Sequence, residues 1–167
     1  MLKTIHVSNL FTTRPALELA QKLTDTGPFA AVHFGNSGSE ANEAAIKYAR
    51  LYSLRTKGEG NHKILSFHNG FHGRTMGALS CTATPKYQEP FKPLIKGIVT
   101  RDLNDTDRLQ TTIDSSFAAV IVEVIQAEGG LFSMTKEFAE TLNDLCREHD
   151  IIIIVDEVQT GLSRTGN

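Results

Sequence analysis

The 167-residue chain has little of several things that would give it a specialised character. Its two cysteines, Cys81 and Cys146, lie far apart with no CxxC or His-paired spacing, so neither a disulfide framework nor a zinc site is expected and a reducing compartment is the easier reading. Charge of one sign is not in excess: 17 Lys and Arg against 19 Asp and Glu give a net charge of −2. With no run of like charge, neither a nucleic-acid footprint nor a polybasic membrane patch is supported. Long apolar runs are missing too, since stretches such as Ile151 to Val155 fall far short of the ~20 residues needed to cross a bilayer. Met1 to Asn9 contain no signal-peptide segment and no Arg-rich amphipathic helix, which leaves a cytoplasmic protein or a natural N-terminus lying elsewhere.

What is present is an ordinary globular composition. Apolar residues make up 40%, and the 13 glycines bring the share into the ~45–50% range of soluble domains, at a length that can bury a sizeable core. No repeat, low-complexity stretch or linker divides the chain.

Periodicity predicts alternating helices and strands. Ala16, Leu19, Ala20 and Leu23 after Pro15 predict a first helix, and Phe29 to Phe34 a strand. Ala41, Ala44, Ala45, Tyr48, Ala49 and Tyr52 predict the apolar stripe of a long helix ending near Gly58. Ile64 to Phe67 reads as a strand, and the Gly-studded segment Asn69 to Gly77 opens another helix. Thr82 to Lys96, with three of the five prolines, reads as an irregular excursion. A strand near Gly97 to Thr100, a polar helix over 105–113, a strand Ala118 to Val122, an amphipathic helix over 138–149 and the buried strand Ile151 to Val155 complete the order. Continuous apolar strands between amphipathic helices indicate an α/β fold with a mostly parallel sheet covered by helices on both faces.

Ligands of such sheets sit at the carboxyl ends of the strands. Three post-strand segments carry chemistry. In Gly35-Asn36-Ser37-Gly38-Ser39-Glu40-Ala41, backbone N–H groups and the Ser37 and Ser39 hydroxyls could face a phosphate at a helix N-terminus; a plain capped helix explains the same residues equally well. Neither GxGxxG nor GxSxG is satisfied. In Asn69-Gly70-Phe71-His72-Gly73-Arg74-Thr75, an aromatic face, an imidazole and a guanidinium suit a planar ligand and a carboxylate; a glycine turn with a packed Phe and a surface Arg is the alternative. His62, His68 and His72 could point to a metal, but the first two fall at opposite ends of one short strand, and no metal is expected.

The third segment is the sharpest: Ile151 to Val155 followed by Asp156-Glu157-Val158-Gln159-Thr160-Gly161. A carboxylate at the end of a buried strand needs a cation or a set of donors. A Walker B reading requires GxxxxGK[ST] upstream, and the sequence has no Gly-Lys dipeptide. One ligand using all three segments would carry a phosphate, a flat ring and a ring cation. Pyridoxal 5′-phosphate fits that description.

These residues resemble the class III, fold-type I, pyridoxal-phosphate aminotransferases, and among them the acetylornithine aminotransferases. The similarity runs through Ser8-Asn9-Leu10-Phe11 with Pro15-Ala16-Leu17, Asn36 to Ala44, Phe71 to Ala78, Pro85-Lys86-Tyr87, Glu123 to Gly130 and Asp156 to Gly161. The resemblance implies that Ser37, Gly38 and Ser39 hold the cofactor phosphate, Phe71 stacks on the ring with His72 beside it, and Asp156 pairs with the pyridine nitrogen as the catalytic carboxylate. It also implies that Val158 supports the opposite ring face, Gln159 reaches the ring hydroxyl, Arg74 binds a substrate carboxylate, and Glu123 and Glu128 belong to the site, Glu128 at the substrate end. Without the resemblance, the two glutamates read as a solvated strand-exit turn.

The implied reaction passes the terminal amine of N-acetylornithine to 2-oxoglutarate, a step in arginine biosynthesis, in a homodimer located in the cytoplasm or the mitochondrial matrix. It needs a Schiff-base lysine that the family carries beyond the aspartate strand, and all nine lysines of this chain precede Asp156. Residues 1–167 are therefore expected to be a partial cofactor-binding large domain, without the family's N-terminal segment, its small domain or the Thr that a second subunit supplies, and inactive alone. Val124 stands where the family usually has Pro, Ala127 often replaces a Gly, and Ser39 stands where Thr is usual. Thr12, where ornithine enzymes tend to carry Tyr, tilts the reading away from an ornithine or 4-aminobutyrate aminotransferase. A non-catalytic cofactor-binding or dimerisation relic is the reading from another class.

Overall fold

The computed structural model describes Ile5, Val7, Ser8 and Leu10–Gly166. Asn9 of the first resemblance motif lies outside these residues. The chain divides into two compact units, one up to Gly35 and one from Asn36 onward.

The first unit contains helix α1, Arg14–Thr24, with Pro15 in its first turn, where the missing N–H is no loss. The strand expected over Phe29 to Phe34 does not form: these residues are irregular. Apolar composition alone does not make a strand, which requires a neighbouring ladder to take its N–H and C=O groups. Among the described residues no strand of either sheet pairs with this segment.

In the second unit, helix α2 spans Gly38–Lys57, with Ser37 as N-cap and Gly58 as C-cap at φ 85°. Strand β1 (Lys63–Phe67) follows, then helix α3 (Met76–Cys81), one-turn helix α4 (Pro85–Gln88), a 3-10 turn at Glu89–Phe91 and strand β2 (Ile98–Arg101). The proline-rich excursion is thus more regular than its composition predicts, because Pro85 and Pro90 each sit in the first turn of a short helix. Helix α5 (Thr106–Thr112), strand β3 (Phe117–Val122), the short antiparallel pair β4 (Ile125–Gln126) and β5 (Phe132–Ser133), helix α6 (Lys136–Glu148) and strand β6 (Ile152–Val155) complete the unit.

Strands β2, β1, β3 and β6 form one parallel sheet in that order. Alternate side chains feed two cores. Leu65, Phe67, Val120 and Val122 pack with Leu109 of α5 and Phe138, Leu142 and Cys146 of α6. Ile64, Ala119 and Ile121 pack with Ile46 and Ala49 of α2 and Cys81 of α3. The α/β expectation therefore holds, with helices on both faces. The two cysteines are free, belong to opposite cores, and burial pushes each thiol up to about 12.

Two expectations change. Strand β6 lies at the edge of the sheet, with Val155 48% exposed, so the strand itself is not buried. The face that α2 buries is Asn42, Ile46, Ala49 and Ser53, while Tyr48 and Tyr52 of the expected stripe point outward. Two polar residues on the inward face hid it from an apolar count. Each is satisfied internally: Ser53 Oγ donates to the Asn61 carbonyl at 2.6 Å, and the Asn42 amide donates into the site described next.

Candidate active site

Beyond β1, the chain turns first to β2 on one side and then crosses to β3 on the other, so the carboxyl ends of β1 and β3 flank a topological switch point. The residues that follow β1, β3 and β6 meet the N-terminus of α2 there, around a cavity of about 180 Å³. Nine of the expected site residues line it: Ser37, Gly38 and Ser39 from α2, Phe71 and His72 after β1, Glu123 after β3, and Asp156, Val158 and Gln159 after β6.

Asp156 forms the floor of the cavity. Its backbone N–H donates to the Val122 carbonyl at 2.8 Å, continuing the β3–β6 ladder, and the residue is 6% exposed although its strand is an edge. The burial comes from its neighbours. His72 Nδ1 and Asn42 Nδ2 each lie 2.8 Å from Oδ2, while the Val158 N–H donates to Oδ1 at 3.1 Å. Burial by itself would raise this carboxyl; the hydrogen bonds from His72, Val158 and Asn42 outweigh it and hold the group below its ordinary value. Asp156 is thus an ionised, buried carboxylate that lines the cavity, and among the described residues its Oδ1 accepts only the Val158 N–H. Because Oδ2 accepts, His72 carries its proton on Nδ1. The imidazole is held in place by its backbone: His72 N–H donates to Thr82 Oγ1 at 2.8 Å, and its carbonyl accepts from Asn42 at 2.8 Å.

The opposite wall is the first turn of α2. Ser37 Oγ accepts from the Glu40 N–H at 3.3 Å, and the Glu40 carboxylate reaches back to the Asn36 N–H, so the capped-helix reading is realised. The anion-site geometry is present as well. Among the described residues the N–H groups of Gly38 and Ser39 have no partner, and both residues line the cavity at the positive end of a 20-residue helix. Glycine is required at 38 because a Cβ would lie 2.8 Å from the Val158 methyls, and at 73, where φ is 126° and a Cβ would collide with Ser39 Oγ.

Glu123 is 3% exposed and accepts the Phe71 N–H at 2.9 Å. Burial drives its carboxyl above the ordinary range, against the Phe71 hydrogen bond that would lower it. The other two expected residues do not line the cavity. Arg74 is exposed, its guanidinium carbon 3.9 Å over the Tyr87 ring and 5.8 Å over the Phe71 ring. Glu128 is exposed in the turn between β4 and β5. Sequence reasoning gives Asn42 and Thr82 no role; for Asn42 the available signal is a polar residue one turn before Ile46 and Ala49 on the inward face of α2. Among the described residues, no lysine lines the cavity and no cluster of three or more acidic, His or Cys side chains could hold a metal.

This arrangement pairs a donor-rich helix start with an ionised carboxylate across a space sized for one flat ring. The aminotransferase class-III family model matches residues 1–167. The chain belongs to the class III aminotransferases. It is 46% identical over 166 residues to the probable acetylornithine aminotransferase, mitochondrial, of Dictyostelium discoideum, covering 98% of this chain and 37% of that protein. It is 47% identical over 165 residues to the acetylornithine aminotransferase of Clostridium acetobutylicum, covering 99% and 43%. Among solved structures, the ornithine aminotransferase of Toxoplasma gondii superposes with a TM-score of 0.89 at 31% identity, covering 95% of this chain and 38% of that one. An amine transaminase from an uncultivated Pseudomonas species, in its PLP-bound form, superposes with a TM-score of 0.87 at 27% identity over 94% and 41%. This class III chain thus spans about two-fifths of the length of the proteins it matches. The family's cofactor is pyridoxal 5′-phosphate, and the residues lining the cavity fit it in kind: free amides that suit a phosphate, the apolar side chains of Phe71 and Val158 that suit a ring, and the Asp156 carboxylate that suits a ring N–H.

Proposed function

We propose that residues 1–167 form the cofactor-binding part of the large domain of a homodimeric aminotransferase that passes the terminal amine of N-acetylornithine to 2-oxoglutarate. The observation that carries this reading is Asp156: a buried carboxylate lining the cavity, kept ionised by His72, Val158 and Asn42, whose Oδ1 has one partner among the described residues and can accept another. When bound, the cofactor supplies an electron sink, which depends on its ring nitrogen staying protonated.

The chain's own residues divide that work. Asp156 takes the ring N–H and stabilises its charge; His72 and Asn42 fix the carboxylate and keep it from accepting a proton itself. The Gly38 and Ser39 amides and the Ser37 and Ser39 hydroxyls receive the phosphate, supported by the α2 dipole. Phe71 and Val158, which line the cavity, would cover the ring and exclude water from it, and Gln159 would hold the ring hydroxyl. Arg74, outside the cavity, receives a substrate carboxylate; Glu123 belongs to the cofactor cavity, and Glu128 stands at the substrate end. The 167 residues do not transaminate alone, since the reaction needs a lysine beside the ring and none lines the cavity among the described residues. The protein works in the cytoplasm or, as the name of the Dictyostelium relative says of that protein, in mitochondria.

The test is cofactor affinity and substrate choice in the protein carrying this chain. Asp156→Ala is expected to weaken pyridoxal-phosphate binding by at least about tenfold, the scale of a lost hydrogen bond to a charged group. Unchanged affinity would remove Asp156 from the site. Rates with N-acetylornithine, ornithine and 4-aminobutyrate then decide the donor, with the first expected to be fastest.

A further inference from the structure

Arg74 is exposed and has no ion pair among the described residues, yet its guanidinium lies over two aromatic rings. A long side chain at a surface ordinarily samples many rotamers. Here Tyr87 lies 3.9 Å beneath the guanidinium carbon. The Tyr87 ring meets Phe71, a wall of the cavity, edge-on at a centroid distance of 6.3 Å and an interplanar angle of 84°.

Tyr87 is itself firmly placed. Its N–H donates to the Thr84 carbonyl at 2.9 Å within α4, and the next residue, Gln88, ties α4 to α3 by donating to the carbonyls of Leu79 at 3.0 Å and Ser80 at 3.3 Å. A ring held in this way stops the guanidinium from wandering and uses none of its N–H donors. All five remain available for a planar, two-oxygen partner.

We propose that Tyr87 is a specificity-determining positioning residue, holding the Arg74 guanidinium beside the cavity mouth as a ready receptor for the carboxylate of an amino acid or 2-oxo acid. This rests on the reading of Arg74 as the carboxylate receptor and adds the element that orders it. Without the ring, Arg74 still carries its charge but must be ordered by each incoming ligand, so the loss falls on ligands that carry a carboxylate and spares those that do not.

The experiment compares Tyr87→Leu, Tyr87→Phe and Arg74→Leu in the cofactor-loaded protein, with N-acetylornithine and with N-acetylputrescine, the same amine without the carboxylate. Tyr87→Leu is expected to raise KM for N-acetylornithine about three- to tenfold with kcat within about twofold, and to leave KM for N-acetylputrescine unchanged. Tyr87→Phe, which keeps the ring, should restore the wild-type KM. A second readout needs no turnover: in the cofactor-free protein the Arg74 Nε–H resonance should be shifted upfield by the ring and move on titration with 2-oxoglutarate. Both features should persist in Tyr87→Phe; in Tyr87→Leu the upfield shift should vanish and the titration should need about three- to tenfold more 2-oxoglutarate. An equal KM rise for both amines, or an Arg74 resonance in Tyr87→Leu that keeps the wild-type upfield shift, overturns the proposal while leaving Arg74 as receptor. If Arg74→Leu itself leaves the KM for N-acetylornithine and the KM for 2-oxoglutarate unchanged, the carboxylate-receptor reading falls, and the role of Tyr87 falls with it.

Discussion

Replacing Asn42 by alanine removes two buried hydrogen bonds at one stroke, to Asp156 Oδ2 and to the His72 carbonyl, each 2.8 Å long. A bond to an ionised acceptor contributes about 1.5–3 kcal/mol and one to a neutral carbonyl about 0.5–1.5, so Asn42→Ala is expected to lower stability by about 2–4 kcal/mol at pH 7. Little apolar packing is lost, so the cost is chiefly electrostatic and should depend on pH. Asp156 is held below its ordinary value in the folded state; its stabilising contribution is therefore whole above the ordinary carboxylate range and declines as pH falls through the folded value. Loss of the Asn42 donor moves that folded value up. The deficit of the variant is then largest near neutrality and shrinks in acid toward the part due to the His72 carbonyl alone. Urea unfolding of both proteins from pH 7 to about pH 3 measures this, and a double-mutant cycle with Asp156→Asn isolates the charged component. A deficit below about 0.5 kcal/mol at pH 7, or one that stays constant down the pH range, would refute the reasoning.

Gly73→Ala places a methyl group at φ 126°, against Ser39 Oγ and 3.1 Å from the Ala78 Cβ. Strain and overlap together should destabilise the protein by about 2–4 kcal/mol, read from the urea midpoint; a variant as stable as the wild type would show that the loop after β1 relaxes freely. Glu123→Gln keeps an acceptor for the Phe71 N–H but removes a carboxylate that burial holds above its ordinary value. A raised carboxyl makes stability fall as pH rises from the ordinary value through the folded one. The Gln variant should therefore match or exceed the wild type at pH 7 by up to about 1 kcal/mol and lose that advantage near pH 4, and a less stable variant at pH 7 would contradict the assignment.

Much of the fold was legible because buried parallel strands and capped helices leave local marks. Ala118 to Val122 is apolar without interruption, and Ile64 to Phe67 is apolar but for the buried Ser66, because both of their faces are covered. Ser37 and Gly58 stand where α2 begins and ends. The apolar segment 29–34 read as a strand for want of any local sign that it has no ladder partner among the described residues. The inward face of α2 was misread for the converse reason: Asn42 and Ser53 look like surface residues until their buried acceptors, far away in sequence or beyond a turn, are known.

The site divides along the same line. Sequence alone marked the segments that come together around the cavity, since a glycine-flanked helix start, an aromatic beside an imidazole and an acid after a β-branched strand are local patterns. It did not determine that Asp156, after an edge strand, is buried and ionised. That follows from Asn42 and His72, 114 and 84 residues away, converging on one oxygen. Nor could it show that Arg74 lies outside the cavity on the ring of Tyr87. Residue type sets what a group can donate, accept or stack upon, but the protonation state of a carboxylate and the direction of a guanidinium depend on neighbours that only the folded chain brings within a few ångströms.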